Sequence, residues 1–279
     1  MSLGLTCATV LDKPYCGKAL IVVPAWNEEQ SVGETVREIR AAAPDASVLV
    51  INDGSTDRTS VVARDAGALV LELPYNLGVG GAMRAGFRYA LRHGYDAAVQ
   101  VDADGQHDPR EVPQLLAGLS EADLVIGARF TNGRQDYPVR GPRRWAVVIL
   151  AKVLSRLAGN RLTDTTSGFR ATGGRALRVF ADHYPVEYLG DTVESLVIAL
   201  RSGCRVAQVP AHMRCRRAGK PSHRSLKSTV YLFRAGFALL LALVRRWDVS
   251  PAETARIASI TPNAEGCIAD EHLPRRPGG

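Results

Sequence analysis

The stretch Ala19-Leu20-Ile21-Val22-Val23-Pro24-Ala25-Trp26-Asn27-Glu28 decides how the rest of the chain is read. Its first five residues are apolar and mostly branched, and a proline closes them, which predicts a short buried strand. Ser31, followed three residues later by Glu34, predicts a capping box opening a helix over 31–43. A second apolar strand is expected at 47–51, a loop at 52–57 and a helix over about 57–66. The alternation continues with a strand at 68–73, a helix at 79–93 and a strand at 96–101. Four strands alternating with helices predict an α/β fold, a doubly wound and mostly parallel sheet with helices on both faces. Ligands of such sheets bind beyond the carboxyl ends of the strands. The loops that begin at Pro24, Asn52, Asn76 and Asp102 are therefore expected to converge on one crevice.

The second half is less regular. A fifth strand is expected at 123–127, and helices at 144–158 and 191–202. Residues 229–244 form the most apolar run, flanked by Arg224, Lys227, Arg245, Arg246 and Trp247. With Arg234 inside, it is shorter than the roughly 20 residues a bilayer span needs. Residues 227–247 are read as an amphipathic interface helix on an anionic membrane surface, with core packing or a homo-oligomer contact as the alternative. The domain is drawn at 18–226, with an extension at 1–17 and a disordered tail at 248–279.

Charge divides the chain. Residues 1–128 carry 10 Lys/Arg against 17 Asp/Glu, whereas residues 129–246 carry 22 against 6. The basic half points to a polyanionic partner, such as anionic lipid or a phosphorylated substrate. Aromatic residues make up only 6% and do not interleave with the basic ones, so nucleic acid is not expected as a partner. The five cysteines are scattered and form no Cys-x-x-Cys pair, which argues against a zinc site or a disulfide framework. Asp12, Lys13 and Lys18 interrupt any leader-like apolar stretch, so a cytoplasmic location is expected, peripheral to the inner face of the plasma membrane.

The segment Gln100-Val101-Asp102-Ala103-Asp104-Gly105-Gln106-His107-Asp108-Pro109 carries the most chemistry. Two carboxylates two residues apart, just past a buried strand, suit Mg²⁺ or Mn²⁺, which complete their shell with substrate phosphates and water. His107 reads either as a ligand or as an ordinary loop histidine. Glu28 and Asp53, at the ends of the first two strands, are able to accept from ribose hydroxyls or a base N–H, and Trp26 either lines that pocket or packs. The glycines of Asn76-Leu77-Gly78-Val79-Gly80-Gly81 resemble a dinucleotide fingerprint, but Met83 stands where the third glycine belongs. Close backbone packing is the better reading there.

Together Pro24–Glu28, Asn52–Asp57, Asn76–Gly81, Gln100–Pro109, Gly127–Phe130 and Asp164-Thr165-Thr166-Ser167-Gly168-Phe169-Arg170 resemble glycosyltransferase family 2. Thr166-Ser167-Gly168-Phe169-Arg170 narrows the resemblance to the dolichol-phosphate mannose synthase-like branch of polyprenyl-phosphate glycosyltransferases. The resemblance covers about 19–226 and implies a GT-A fold. It also implies transfer of a sugar from a nucleotide-sugar, of the GDP-mannose or UDP-glucose type, to a polyprenyl or dolichyl phosphate. Pro24, Ala25, Trp26, Glu28 and Asp53 would hold the nucleoside, with Asp102 and Ala103 beside them. Asp102, Asp104 and Gln106 would hold the metal. Arg129, Arg143 or Arg144, and Ser167 would face the acceptor phosphate, and Arg216 would close on the donor phosphates. The chain departs from the family pattern at Asn52, where an Asp is common, and at Pro221 and His223, where a lysine usually follows the serine.

An acceptor phosphate is anionic at neutral pH and needs cations rather than a general base. A soluble enzyme acting on a hydroxyl would instead need a base, for which Asp191 and Glu194 are the candidates, unless they only cap the 191–202 helix. A non-catalytic protein binding anionic lipid or nucleic acid would lose binding steeply with salt and be indifferent to loss of Asp104.

Overall fold

The computed structural model describes residues 15–129, 152–186 and 191–214. Arg143, Arg144, Arg216, the apolar run 229–244 and the tail lie outside the described residues, as do most of the 1–17 extension and the first part of the helix expected at 144–158. The side chain of Asp191 also lies outside them.

The first four strands form where apolar runs predict them: β1 (Ala19–Ala25), β2 (Ser47–Asn52), β3 (Leu69–Glu72) and β4 (Ala97–Gln100). Helices α1 (Val32–Ala42), α2 (Thr59–Asp65) and α3 (Gly78–Arg92) alternate with them. Then follow α4 (Val112–Ala117), β5 (Leu124–Ala128) and a helical stretch, α5, described over 152–158. The chain continues through β6 (Arg170–Thr172), α6 (Gly174–His183), α7 (Asp191–Arg201) and β7 (Val206–Pro210). The sheet has seven strands in the order β3-β2-β1-β4-β6-β5-β7. All pairings are parallel except the two made by β6.

Strand alternation sorts the core into two layers. Leu20 and Val22 of β1 join Met83 and Phe87 of α3, Phe180 of α6 and Val197 of α7 on one face. Ile21 and Val23 join Val36 and Ile39 of α1, Ala63 of α2 and Leu115 of α4 on the other. Ile21, Val22 and Val23 have no solvent exposure. Each such side chain contributes on the order of 1.5–3 kcal/mol by leaving water. Helices thus cover both faces, as the doubly wound pattern requires.

Two local expectations fail. The capping box does not form, because Ser31 has helical backbone angles and its side chain makes no cap bond. Its hydroxyl donates instead to Glu28 Oε2 at 2.6 Å, and the Val32 N–H is taken by the Glu28 carbonyl, so the first turn is anchored one residue group earlier than expected. The strands β6 and β7 were not expected at all. β6 has three residues and begins with an arginine, too short for any periodicity to register.

Candidate active site

The chain runs from β1 to β2 and β3 on one side and returns to β4 on the other side of β1, which makes the β1/β4 boundary the switch point where such sheets bind ligands. Above β1, Pro24 is half-buried, Ala25 is buried and Trp26 stands 52% exposed. Asn27 has a φ of 55°, the left-handed region that asparagine tolerates better than most residues. That turn ties two rims together. The Asn27 N–H donates to Ser55 Oγ at 2.9 Å, and the Thr56 N–H donates to Asn27 Oδ1 at 2.9 Å. The Glu28 N–H donates to Thr59 Oγ1 at 2.9 Å, so Trp26 and Glu28 sit on a loop stitched to the one after β2.

Asp53 serves a different loop. Its two carboxylate oxygens accept the N–H groups of Leu77 and Gly78 at 2.7 and 2.8 Å, at the start of α3. This is the helix end where negative charge is favoured. Burial pushes the Asp53 carboxyl up, and those two backbone bonds oppose the shift without cancelling it. Each oxygen retains a second lone pair with which to accept a further hydrogen bond. Gly54, at φ 70°, lets the backbone of Asn76 pass, since a Cβ there would lie 2.7 Å from the Asn76 nitrogen. At Asn52, the amide donates to Ser60 Oγ and to Glu72 Oε2, both at 2.6 Å, while its oxygen accepts from Ser55 N–H. An aspartate there would set a second carboxylate against Glu72.

The acidic pair follows β4. The Asp102 side chain is 37% exposed, and its Oδ1 accepts from Gln100 Nε2 at 3.1 Å. The Ala103 carbonyl accepts from the Thr35 hydroxyl, which pins the loop to α1. Asp104 is 9% exposed, and its Oδ1 accepts the Gln106 N–H at 3.0 Å across Gly105, which lies at φ 75°. Gln106 is half-buried beside it. His107 is 2% exposed, with Nδ1 accepting the Asp102 N–H at 3.0 Å and its ring stacked on Phe169.

The second-half motif folds over this loop. A Cβ on Gly168 would lie 3.1 Å from Gln100 Nε2 and 3.8 Å from Asp102 Oδ2, so the absence of a side chain lets the motif approach the acidic pair. Ser167 is buried, and its hydroxyl accepts from the Phe169 N–H at 3.3 Å. Arg129 leaves β5 and grips Asp164 with two parallel bonds, Nε to Oδ2 at 2.7 Å and Nη2 to Oδ1 at 3.0 Å. Nη2 also donates to the Thr166 hydroxyl at 2.8 Å. Burial drives the Asp164 carboxyl upward, but the Arg129 guanidinium outweighs it and holds the group below the usual carboxylate range. Arg170 is buried in β6, donating to the carbonyls of Ser167 and Thr165 and to the Ser195 hydroxyl. Among the described residues, the buried Thr165 Oγ1 has no hydrogen-bond partner.

A strap after β7 closes one side. The Arg214 N–H donates to the Gln106 carbonyl, and its guanidinium reaches Asp108 and Glu38, each at 2.6 Å. Hydrogen bonds from Arg110, together with the nearby charge of Arg214, hold the Asp108 carboxyl down at about 2.

These contacts bring Pro24–Glu28, Asp53, Asp102–Gln106, Ser167 and Arg129 to one rim, each at the end of a strand or on the motif packed against it. Arg143, Arg144 and Arg216 lie outside the described residues. Three contributors carried no role in the sequence reading: Asp164, His107 as a packed residue, and Arg214. Asp164 stood inside the quoted motif, but its pairing with a residue 35 positions earlier leaves no local pattern. The donor set suits a hard divalent cation only in part. Among the described residues no cluster of three or more His, Cys, Asp or Glu is placed to hold one. Two carboxylates leave the remaining positions to substrate oxygens and water, the usual arrangement for magnesium.

Residues 20–184 match the family model described as Glycosyl transferase family 2. The chain is 36% identical over 202 residues to an undecaprenyl-phosphate mannosyltransferase of Micrococcus luteus, covering 69% of this chain and 82% of that one. It is 32% identical over 167 residues to a polyprenol monophosphomannose synthase of Mycolicibacterium smegmatis, covering 55% and 61%. A crystal structure of glucosyl-3-phosphoglycerate synthase from Mycobacterium tuberculosis, in complex with Mn²⁺, UDP and glucosyl-3-phosphoglycerate, superposes with a TM-score of 0.61 at 22% identity, covering 83% and 81%. That likeness establishes the GT-A fold. With its family match over residues 20–184 and its likeness to the two lipid-phosphate mannosyltransferases, the chain belongs to glycosyltransferase family 2, in the dolichol-phosphate mannose synthase-like branch.

Proposed function

We propose that this glycosyltransferase moves a sugar from a nucleotide-sugar, of the GDP-mannose or UDP-glucose type, to a polyprenyl phosphate at the cytoplasmic face of the membrane. The observation that carries the reading is the packing of Gly168 against Gln100 and Asp102, which joins the branch-specific motif to the acidic pair at the switch point. The names of the two lipid-phosphate relatives support the acceptor class. Among the described residues no helix is long and apolar enough to cross a membrane, and the proposal is a peripheral association.

In this reading Trp26, Glu28 and Asp53, with Pro24, Ala25 and Ala103, hold the nucleoside, while Asp102, Asp104 and Gln106 hold Mg²⁺ or Mn²⁺. A cation held by these residues would supply positive charge to offset that of the diphosphate leaving group. Arg129 and Ser167, with Arg143 or Arg144, steer the acceptor phosphate to the opposite face of the anomeric carbon, so the product is inverted. The nucleophile is already ionised, and no side chain has to remove a proton. Arg216 is assigned to the donor phosphates.

The test uses the full chain with GDP-mannose or UDP-glucose, Mg²⁺ or Mn²⁺, and a short polyprenyl phosphate. A lipid-linked sugar is the expected product. Replacing Asp104 by Ala is expected to lower kcat/KM by about 100–1,000-fold or more, the scale of losing one preorganised electrostatic group. Transfer to a soluble hydroxyl in preference to the lipid, or full activity in Asp104→Ala, would overturn the proposal.

A further inference from the structure

His107 touches three parts of the site at once. Its Nδ1 accepts the backbone N–H of Asp102 at 3.0 Å, and its Nε2 lies 3.6 Å from Asp102 Oδ2. One flank of the ring stacks on Phe169 of the branch-specific motif, with centroids 4.8 Å apart and planes 14° from parallel. Its backbone forms a bridge to Met213 in the strap that Arg214 anchors. Because Nδ1 is an acceptor, the ring proton of the neutral imidazole sits on Nε2, the edge turned toward the Asp102 carboxylate. Gln100 Nε2 approaches the other carboxylate oxygen. The Asp102 side chain is thus steered from both sides while 37% of it faces solvent.

We infer that His107 is a positioning residue for Asp102. It accepts the Asp102 N–H so that the carboxylate meets a cation and a donor diphosphate in one fixed orientation. Its stack on Phe169 links that orientation to the motif on the acceptor side. A residue that packed without accepting would leave the Asp102 N–H without its partner and let the loop rotate. Groups that orient a metal-binding carboxylate change metal affinity by about 10–100-fold when removed.

The inference rests on the proposed metal role of Asp102, and the experiment separates the two. Mn²⁺ binding is followed by the loss of the free-ion paramagnetic resonance signal, with UDP or GDP present, for the wild-type chain, His107→Phe and His107→Asn. His107→Phe keeps a ring to stack on Phe169 but has no acceptor. His107→Asn loses the stack but places an acceptor oxygen near the Nδ1 position. Expected is a loss of Mn²⁺ affinity of about 10–100-fold in His107→Phe, with at least partial recovery in His107→Asn. A thermal midpoint for each variant separates this from unfolding, since a packing role predicts the opposite order, with His107→Phe the better of the two in both measurements. That opposite order, or wild-type affinity in His107→Phe, would overturn the inference. Absence of diphosphate-assisted Mn²⁺ binding in the wild-type chain would instead sink the metal role of Asp102, and this inference with it.

Discussion

The two halves of the rim are held by different physics. On the donor side, the loops after β1, β2 and β3 are stitched mainly by backbone N–H groups meeting side-chain oxygens: Asn27 with Ser55 and Thr56, Glu28 with Thr59, and Asp53 with Leu77 and Gly78. On the acceptor side the main tie is an ion pair, Arg129 with Asp164, supported by the buried Arg170. Backbone stitching fixes the geometry of these loops without an ion pair. The acceptor side already commits one guanidinium to a neighbouring carboxylate, so in the proposed reading an incoming phosphate would share Arg129 with Asp164.

Removing the acceptor-side charge is the strongest way to break that contrast. Replacing Asp164 by Asn leaves the Arg129 guanidinium without its carboxylate and is expected to cost about 3 kcal/mol by urea unfolding at neutral pH. Arg129 is 32% exposed, which keeps the figure at the low end of the range for buried pairs. The sign with pH follows from the lowered Asp164 carboxyl. Its contribution is complete above the unfolded value of about 4 and is lost as pH falls further. The gap between wild type and variant therefore narrows below about pH 4. A gap that stays constant into acid would show that the pair is not what holds this side.

A smaller change tests the donor side. Asn52→Asp sets a carboxylate against Glu72 and is expected to cost about 1–3 kcal/mol at neutral pH. Like charges raise the pKa of one partner in the folded state, so the penalty shrinks as pH falls and that group takes up a proton. Adding Glu72→Gln should restore most of the melting temperature. Failure of that rescue would mean that the donor loops do not depend on neutral bonding at Asn52. The smallest expected effect is at Thr165, whose hydroxyl has no partner among the described residues. Thr165→Val is expected to leave unfolding free energy unchanged or slightly raised, within about 1 kcal/mol. A loss well beyond that would show that the hydroxyl is bonded after all.

Much of this was legible from residues 19–128. Branched apolar runs and short polar loops marked β1 to β5, and the loops they set up do meet at the switch point. What failed was local or long-range detail. Ser31 and Glu34 matched a capping box, yet the Ser31 hydroxyl donates to the Glu28 carboxylate, a tertiary detail of the preceding turn that the spacing does not carry. Asp53 was read as facing the nucleoside, but its carboxylate also caps α3, because the chain returns beside it 24 residues later. The pairing of Arg129 with Asp164 likewise needs the fold to bring the partners together. β7 mixes Gln208 and Pro210 into a half-exposed edge, which blurs the apolar signal that marked the central strands.

The antiparallel β6 has a consequence for assembly. It supplies the β4 edge with its outer neighbour, and among the described residues β5 and β7 are joined to β4 through it. While the chain is being made, the half built from β1 to β4 emerges with the outer margin of β4 open. That margin stays open until Arg170–Thr172 arrive, carrying Phe169 and Gly168 directly ahead of them. The step that joins β5 to the first four strands is therefore the same step that brings the Ser167–Phe169 motif against the acidic pair.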